Sequence, residues 1–193
     1  MRQPGAQNGF TLIELLVTVV IFSIGLLGIA GLQIVSKRAT FEAMQRTTAT
    51  QAASGLLEDM RANGPALATY VTSAQIGQST MQTSVAGGCD NINQPCSSVE
   101  MATRDLAQWE TLLDGDMETG PDGGVGGLVS PRACIAGPLD GSAGVYTVSV
   151  VWRGTVAITD PGINACGADS GQYGDANEFR RVIQILTFID PNI

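Results

Sequence analysis

The chain has 193 residues, no histidine and a formal net charge of −8, with a pI near 4.3. Beyond Asn63, five arginines stand against fourteen Asp and Glu residues, so this part repels phosphates and lacks the basic stripe that nucleic-acid binding needs. Without histidine the commonest general base and metal ligand are gone, and no nucleophile–base pair, phosphate loop or metal cluster replaces them, so no catalytic residue, metal or cofactor is expected.

Met1–Gly9 is polar and carries one charged residue, Arg2. Gly9-Phe10-Thr11-Leu12-Ile13-Glu14 follows, and from Leu15 to Ser36 about 22 residues run without a charge. At a rise of about 1.5 Å per residue they span the roughly 30 Å hydrocarbon core of a bilayer. A carboxylate in such a span costs about 2.5–3.5 kcal/mol at the bilayer centre. Glu14 lies close to one end, where it can reach the headgroups. Thr11-x-x-Glu14 is also a capping box, which alone would suit an ordinary signal anchor. A secretory signal peptide is disfavoured, because no short apolar core with a small-residue cleavage site precedes the folded part.

Glycine, aromatic residue and glutamate ahead of an apolar run resemble the class III signal shared by type IV pilins and type II secretion pseudopilins. The segment Ser23–Gln33 and the helix end Glu58–Asn63 are similar to minor pilins of the PilV type. That resemblance implies that prepilin peptidase cuts between Gly9 and Phe10 and that the new amine of Phe10 is methylated. It also implies that Glu14, with Thr11 beside it, acts in assembly by pairing with an N-terminal amine. Gly25, Gly28 and Gly31 weaken the helix, each by up to about 1 kcal/mol relative to Ala, and offer a small-residue surface for another helix. Tight packing in the bilayer and a pliable assembly segment are both open for them.

Lys37 and Arg38 follow the span, and a positive-inside count would put that end in the cytoplasm. The opposite orientation, leader inside and head outside, follows from the resemblance and from the four cysteines. Phe41, Met44, Thr48, Ala52, Leu56 and Met60 then recur at helical steps as an amphipathic stripe. Asn63-Gly64-Pro65 predicts a stop, with Asn or Gly in the left-handed conformation. Pro65–Gly88 reads as a loop with some short helix.

Cys89, Cys96, Cys134 and Cys166 in an exported chain imply two disulfides. Three pairings are possible. Cys89–Cys96 with Cys134–Cys166 is preferred, since the first pair brackets a short Asn/Pro loop and the second flanks apparent strands. Zinc is a poor alternative, because the spacing is wrong and no histidine completes a site.

Ser97-x-x-Glu100 offers a second capping box, and Ala102, Leu106, Trp109 and Leu113 share one helical face behind it. Asp114–Gly127 is acidic and Gly-rich. It reads as a solvated hairpin-like loop, the alternative being a calcium loop that lacks Gly at position six and Glu at position twelve. Leu128–Ile135, Val145–Trp152, Thr155–Thr159 and Phe179–Ile189 read as strands. Asp160–Glu178 reads as a variable surface loop.

The expected fold is α+β and type IV pilin-like, a long N-terminal helix spine packed by an antiparallel β-meander head. Its expected divisions are a leader at 1–9, a transmembrane and assembly half-helix at 10–36, an amphipathic half at 37–63 and a disulfide-containing periplasmic head at 64–193. The expected function is a non-enzymatic minor pilin of the inner membrane, later incorporated in a surface pilus. Its expected partners are prepilin peptidase, the major pilin and other minor pilins, the inner-membrane assembly machinery and the lipid bilayer. A type II secretion minor pseudopilin is the alternative, and a membrane-anchored periplasmic binding protein is a weaker one.

Overall fold

The computed structural model describes residues 9–80, 95–116, 119–120, 123–124 and 126–192. Two compact units make up the chain, Met1–Phe41 and Glu42–Ile193. One helix, α1 (Leu12–Ala62), contributes to both.

Within the first unit α1 exposes every large apolar side chain from Leu12 to Val35. Two of its hydroxyls bond back to the helix itself. Thr18 Oγ1 donates to the Leu15 carbonyl at 2.8 Å, and Ser23 Oγ to that of Val19 at 2.7 Å. Such local pairing removes the cost of carrying a hydroxyl into an apolar medium. Gly25, Gly28 and Gly31 leave the helix unbroken.

In the second unit, α1 buries Gln45, Ala49, Ala52, Ala53, Leu56, Leu57 and Met60. This stripe differs from the sequence reading. Met44 is exposed, and Gln45 is buried in the next position. The reason is polar: the Gln45 amide donates to the Gly127 carbonyl at 3.2 Å and accepts from the Val129 amide at 3.0 Å. It behaves like a strand residue pairing with an irregular segment, which satisfies the buried amide on both sides.

The helix stop also differs. Asn63 has φ −120°, and a 3-10 turn (Gly64–Ala66) and a short α2 (Leu67–Tyr70) follow without a left-handed cap. The Asn63 side chain binds elsewhere, donating to the Ser98 carbonyl at 2.7 Å and the Tyr70 hydroxyl at 3.3 Å. After α2 comes β1 (Thr72–Ile76), which the sequence reading had placed in a loop.

Helix α3 (Ser98–Asp114) starts at a reciprocal Ser97–Glu100 capping box and ends at Gly115, whose φ of 79° favours glycine. Its buried face carries Ala102, Leu106, Trp109 and Leu113. The Trp109 indole donates to the Ala52 carbonyl of α1 at 2.8 Å, and the small Ala52 and Ala53 let the ring approach. On α3, Glu110 and Asp114 hold the turn after β1. Glu110 Oε1 accepts from the amides of Gly77 at 2.9 Å and Thr80 at 2.7 Å, and Asp114 from those of Gln78 and Ser79 at 2.8 and 2.9 Å. The turn has positive φ at Gly77, Gln78 and Ser79. Carboxylates aimed at consecutive amides offset the strain of that conformation.

Two short strands, β2 (Thr119–Gly120) and β3 (Gly123–Gly124), pair within the acidic loop. Residues 117, 118, 121, 122 and 125 of that loop, which include Met117, Glu118 and Val125 of the calcium-loop reading, lie outside the described residues. The main sheet adds β4 (Arg132–Ala136), β5 (Gly144–Arg153) and β6 (Arg180–Ile189) in the order β1-β4-β5-β6, all antiparallel. Thr155–Thr159 forms no strand. Gly154 and Ile158 instead donate to the carbonyls of Phe179 and Glu178 at 2.8 and 2.7 Å, so the segment only extends the β5–β6 pairing irregularly.

Tyr146, Val148, Val150 and Trp152 bury one face of β5 in the same core as α1 and α3. On the opposite face Val151 packs with Cys166 and Tyr173, and Ser149 is buried under Asn164. The loop after β5 therefore covers half of a face that strand alternation would leave to solvent.

A disulfide, Cys134–Cys166, joins that loop to β4 across a separation of 32 residues. Cys96 is also disulfide-bonded, while Cys89 lies outside the described residues. Arg180 completes the tie. Fully buried, it donates to Asp160 at 2.8 Å, to the Cys166 carbonyl from Nε at 3.0 Å and to Asn164 Oδ1 at 2.9 Å. Removing one partner of a buried ion pair typically costs about 3–5 kcal/mol. We expect Arg180→Ala to destabilise the head by about that amount and Arg180→Lys by less, because Lys keeps the charge and loses the fork. Denaturant unfolding of the full chain in detergent, with hydrogen exchange over residues 160–178, measures both.

Candidate processing and assembly site

Phe10 is 90% exposed, and Gly9 and Phe10 precede the helix in non-helical backbone. No described atom lies within 4 Å of where a Gly9 side chain would start. The helix then opens on Thr11 and Glu14. Glu14 donates its amide to Thr11 Oγ1 at 3.4 Å, and Glu14 Oε2 accepts from the Thr11 amide at 3.4 Å and from its hydroxyl at 3.3 Å.

The second capping box gives a scale. There the Ser97 amide and hydroxyl both reach Glu100 Oε2 at 2.8 Å. The Thr11 box has the same connectivity, with longer and weaker bonds to the carboxylate, at 3.3 and 3.4 Å. Among the described residues no basic group meets Glu14. Its carboxylate is thus loosely held beside the exposed Phe10, where an ammonium group could displace the weak cap.

Gly25, Gly28 and Gly31 likewise have nothing within 4 Å of a built Cβ. They lie one helical turn apart, within a helix long and apolar enough to cross a membrane. Among the described residues no group of three or more His, Cys, Asp or Glu is placed to hold a metal.

Residues 31–107 match the family described as type IV pilin Tt1218, and residues 5–30 match the prokaryotic N-terminal methylation motif. The chain is a type IV pilin-like protein. The methylation match brackets Gly9, Phe10 and Glu14, and the pilin match carries the head-side part of α1 through α2 and β1 into α3. Strands β4–β6 of this pilin-like chain lie outside both. No curated protein and no solved structure matches it. Pilins are structural proteins, and the N-terminal motif makes the chain a substrate type for prepilin peptidase that assembles with other pilins.

A polar cluster that sequence reasoning missed sits where α1, α2 and α3 meet. The Tyr70 hydroxyl donates to Asp105, and Asp59 faces the same carboxylate across an open groove lined by Gly55, Leu56 and Leu112. Burial, then the charge of Asp105, then that of Glu58 raises the Asp59 pKa above the ordinary carboxylate value. Burial and the bond to Asp105 likewise raise that of Tyr70. A helical period could have shown Asp59 and Asp105 near the apolar faces, yet nothing in the sequence brings the two helices together.

The sign follows for stability. Asp59 carries a penalty when ionised, absent below its unfolded pKa near 4 and fully present above its raised folded value. We expect Asp59→Asn to raise the melting temperature at pH 7 and to leave it unchanged at pH 3. Thermal unfolding of both proteins at the two pH values checks this.

Proposed function

We propose that this pilin-like chain is a minor pilin of the PilV type, a non-enzymatic subunit that takes part in type IV pilus assembly or initiation. It is held in the inner membrane by residues 10–36, with its head in the periplasm, until it joins the pilus. The observation that carries this reading is the loosely capped Glu14 beside exposed Phe10, at the head of an apolar helix with no protein cover. In the bilayer Glu14 reaches headgroups. Inside a fibre, where neither water nor headgroups remain, a neighbouring Phe10 amine supplies the charge instead. Four cysteines and the glycine-rich helix segment favour the pilus over the type II secretion pseudopilin. The acidic head beyond Asn63 supports a periplasmic over a nucleic-acid-facing role.

Cleavage between Gly9 and Phe10 is tested by mass spectrometry of the membrane-isolated protein. The expected N-terminus is a methylated Phe10, and Gly9→Asp should leave a longer, unmethylated precursor. An intact Met1 on the wild-type chain in cells with active prepilin peptidase would sink the reading.

Glu14 tests assembly apart from insertion. Glu14→Leu removes a polar group from an apolar helix, so membrane level and cleavage should stay normal. Losing one partner of a buried pair costs about 3–5 kcal/mol, so the variant should be strongly depleted from sheared pili. Immunoblots of membranes and pili read both arms. Equal incorporation would leave Glu14 as a helix cap and nothing more.

A further inference from the structure

Trp152, near the end of β5, carries a buried polar group that nothing pairs. The residue is 3% exposed, and its indole Nε1 is the one buried side-chain donor or acceptor among the described residues without a hydrogen-bond partner. The other tryptophan, Trp109, spends the same group on the Ala52 carbonyl at 2.8 Å. Burying an N–H without a partner is costly, so an orphaned one calls for a group that meets it.

Trp152 forms part of the wall of a groove of about 420 Å³. Glu42 and Arg46 of α1, Arg181 of β6, and the apolar Ile158 and Pro161 of the loop after β5 line it as well. The charges there do not cancel. Glu42 is engaged by the Arg181 guanidinium at 3.4 Å and by the Thr155 hydroxyl at 2.8 Å. Arg46 is exposed, and its guanidinium has no partner among the described residues. Two guanidinium groups against one carboxylate leave one positive charge, on a chain whose net charge is −8. An unpaired N–H, a free guanidinium and apolar walls together fit a ligand with both an anionic oxygen and a hydrocarbon part.

Connectivity narrows the choice of ligand. Glu42 follows Ser36, the last residue of the uncharged run, by six residues and Arg46 by ten, about 9 and 15 Å along a helix. The headgroup layer outside the hydrocarbon is about 5–8 Å thick on each face of a bilayer. Side chains on a helix lean toward its N-terminus, here the membrane side, so Arg46 leans back toward that layer. Phosphates held in a membrane surface also have a high effective concentration beside a tethered site, whereas an acidic head repels free anions. We propose that this groove binds the phosphate of a phospholipid headgroup, with Trp152 and Arg46 on its oxygens and Ile158 and Pro161 against the apolar part of the lipid. The bound lipid seats the head on the membrane surface while the subunit waits in the bilayer. This proposal rests on the reading of the chain as a membrane-anchored pilin.

The full chain, labelled with ¹⁵N-tryptophan in dodecyl maltoside, gives one indole signal from each of its two tryptophans, and Trp109→Phe assigns them. Titration with dihexanoyl phosphatidylglycerol should move the Trp152 indole signal and leave that of Trp109, whose bond to Ala52 is already made. Arg46→Gln, at an exposed position, should weaken the titration at least ten-fold with an unchanged melting temperature. An unmoved Trp152 signal, equal movement of both signals, an equal response to inorganic phosphate, or a titration that Arg46→Gln leaves intact would each overturn the proposal. The N-terminal mass of the same sample separates the two claims. A processed Phe10 chain with a silent Trp152 sinks this site alone, whereas an intact Met1 sinks the pilin reading beneath it.

Discussion

One helix has to satisfy two solvents. From Leu12 to Val35, α1 turns apolar side chains outward on every side, and no protein covers them. From Gln45 to Met60 the same helix buries a single stripe in the core of the head. An all-round apolar helix is stable where water is absent, and a striped one where a core meets water on one side. The polar residues obey the same division. In the first unit Thr18 and Ser23 return their hydroxyls to the helix backbone, while in the second Gln45 spends its amide on the segment 127–129.

The head answers a different difficulty. About 150 residues can bury a core, yet much of this chain after α3 is Gly-rich and irregular. Buried polar groups compensate. Glu110 gathers the amides of the turn after β1, Arg180 gathers Asp160, Asn164 and Cys166, and the disulfide joins the second of these assemblies to β4. Each fixes a loop that has little apolar surface of its own. The ties hold only in one geometry, since a half-satisfied charge in a core is worse than an apolar residue.

The groups proposed to act on partners are arranged in the opposite way, weakly held or bare. Glu14 is capped by bonds of 3.3–3.4 Å, and Gly25, Gly28 and Gly31 face open space. A subunit that must leave a bilayer and enter an assembly keeps its interacting surfaces unsatisfied until then. Exposed apolar groups are the physical record of that requirement.

The amino-acid order alone determined the membrane-compatible helix, the Gly9–Glu14 signal, the oxidised cysteines and the α+β class. Each of these depends on neighbours along the chain: an uninterrupted apolar run, a capping box at i and i+3, and alternation in β5. Tertiary structure decided the rest. It moved the buried stripe of α1 onto Gln45 and turned part of a loop into β1. It left Thr155–Thr159 without a sheet partner and buried Ser149 and Val151 on a face expected to be wet. Asp59 and Asp105 became neighbours only because α3 packs on α1, and the opposed directions of β1 and β6 exist only once four strands are ordered. A hydrogen bond between residues 84 or 94 positions apart leaves no local pattern, because its two halves acquire a common environment only after the chain has folded.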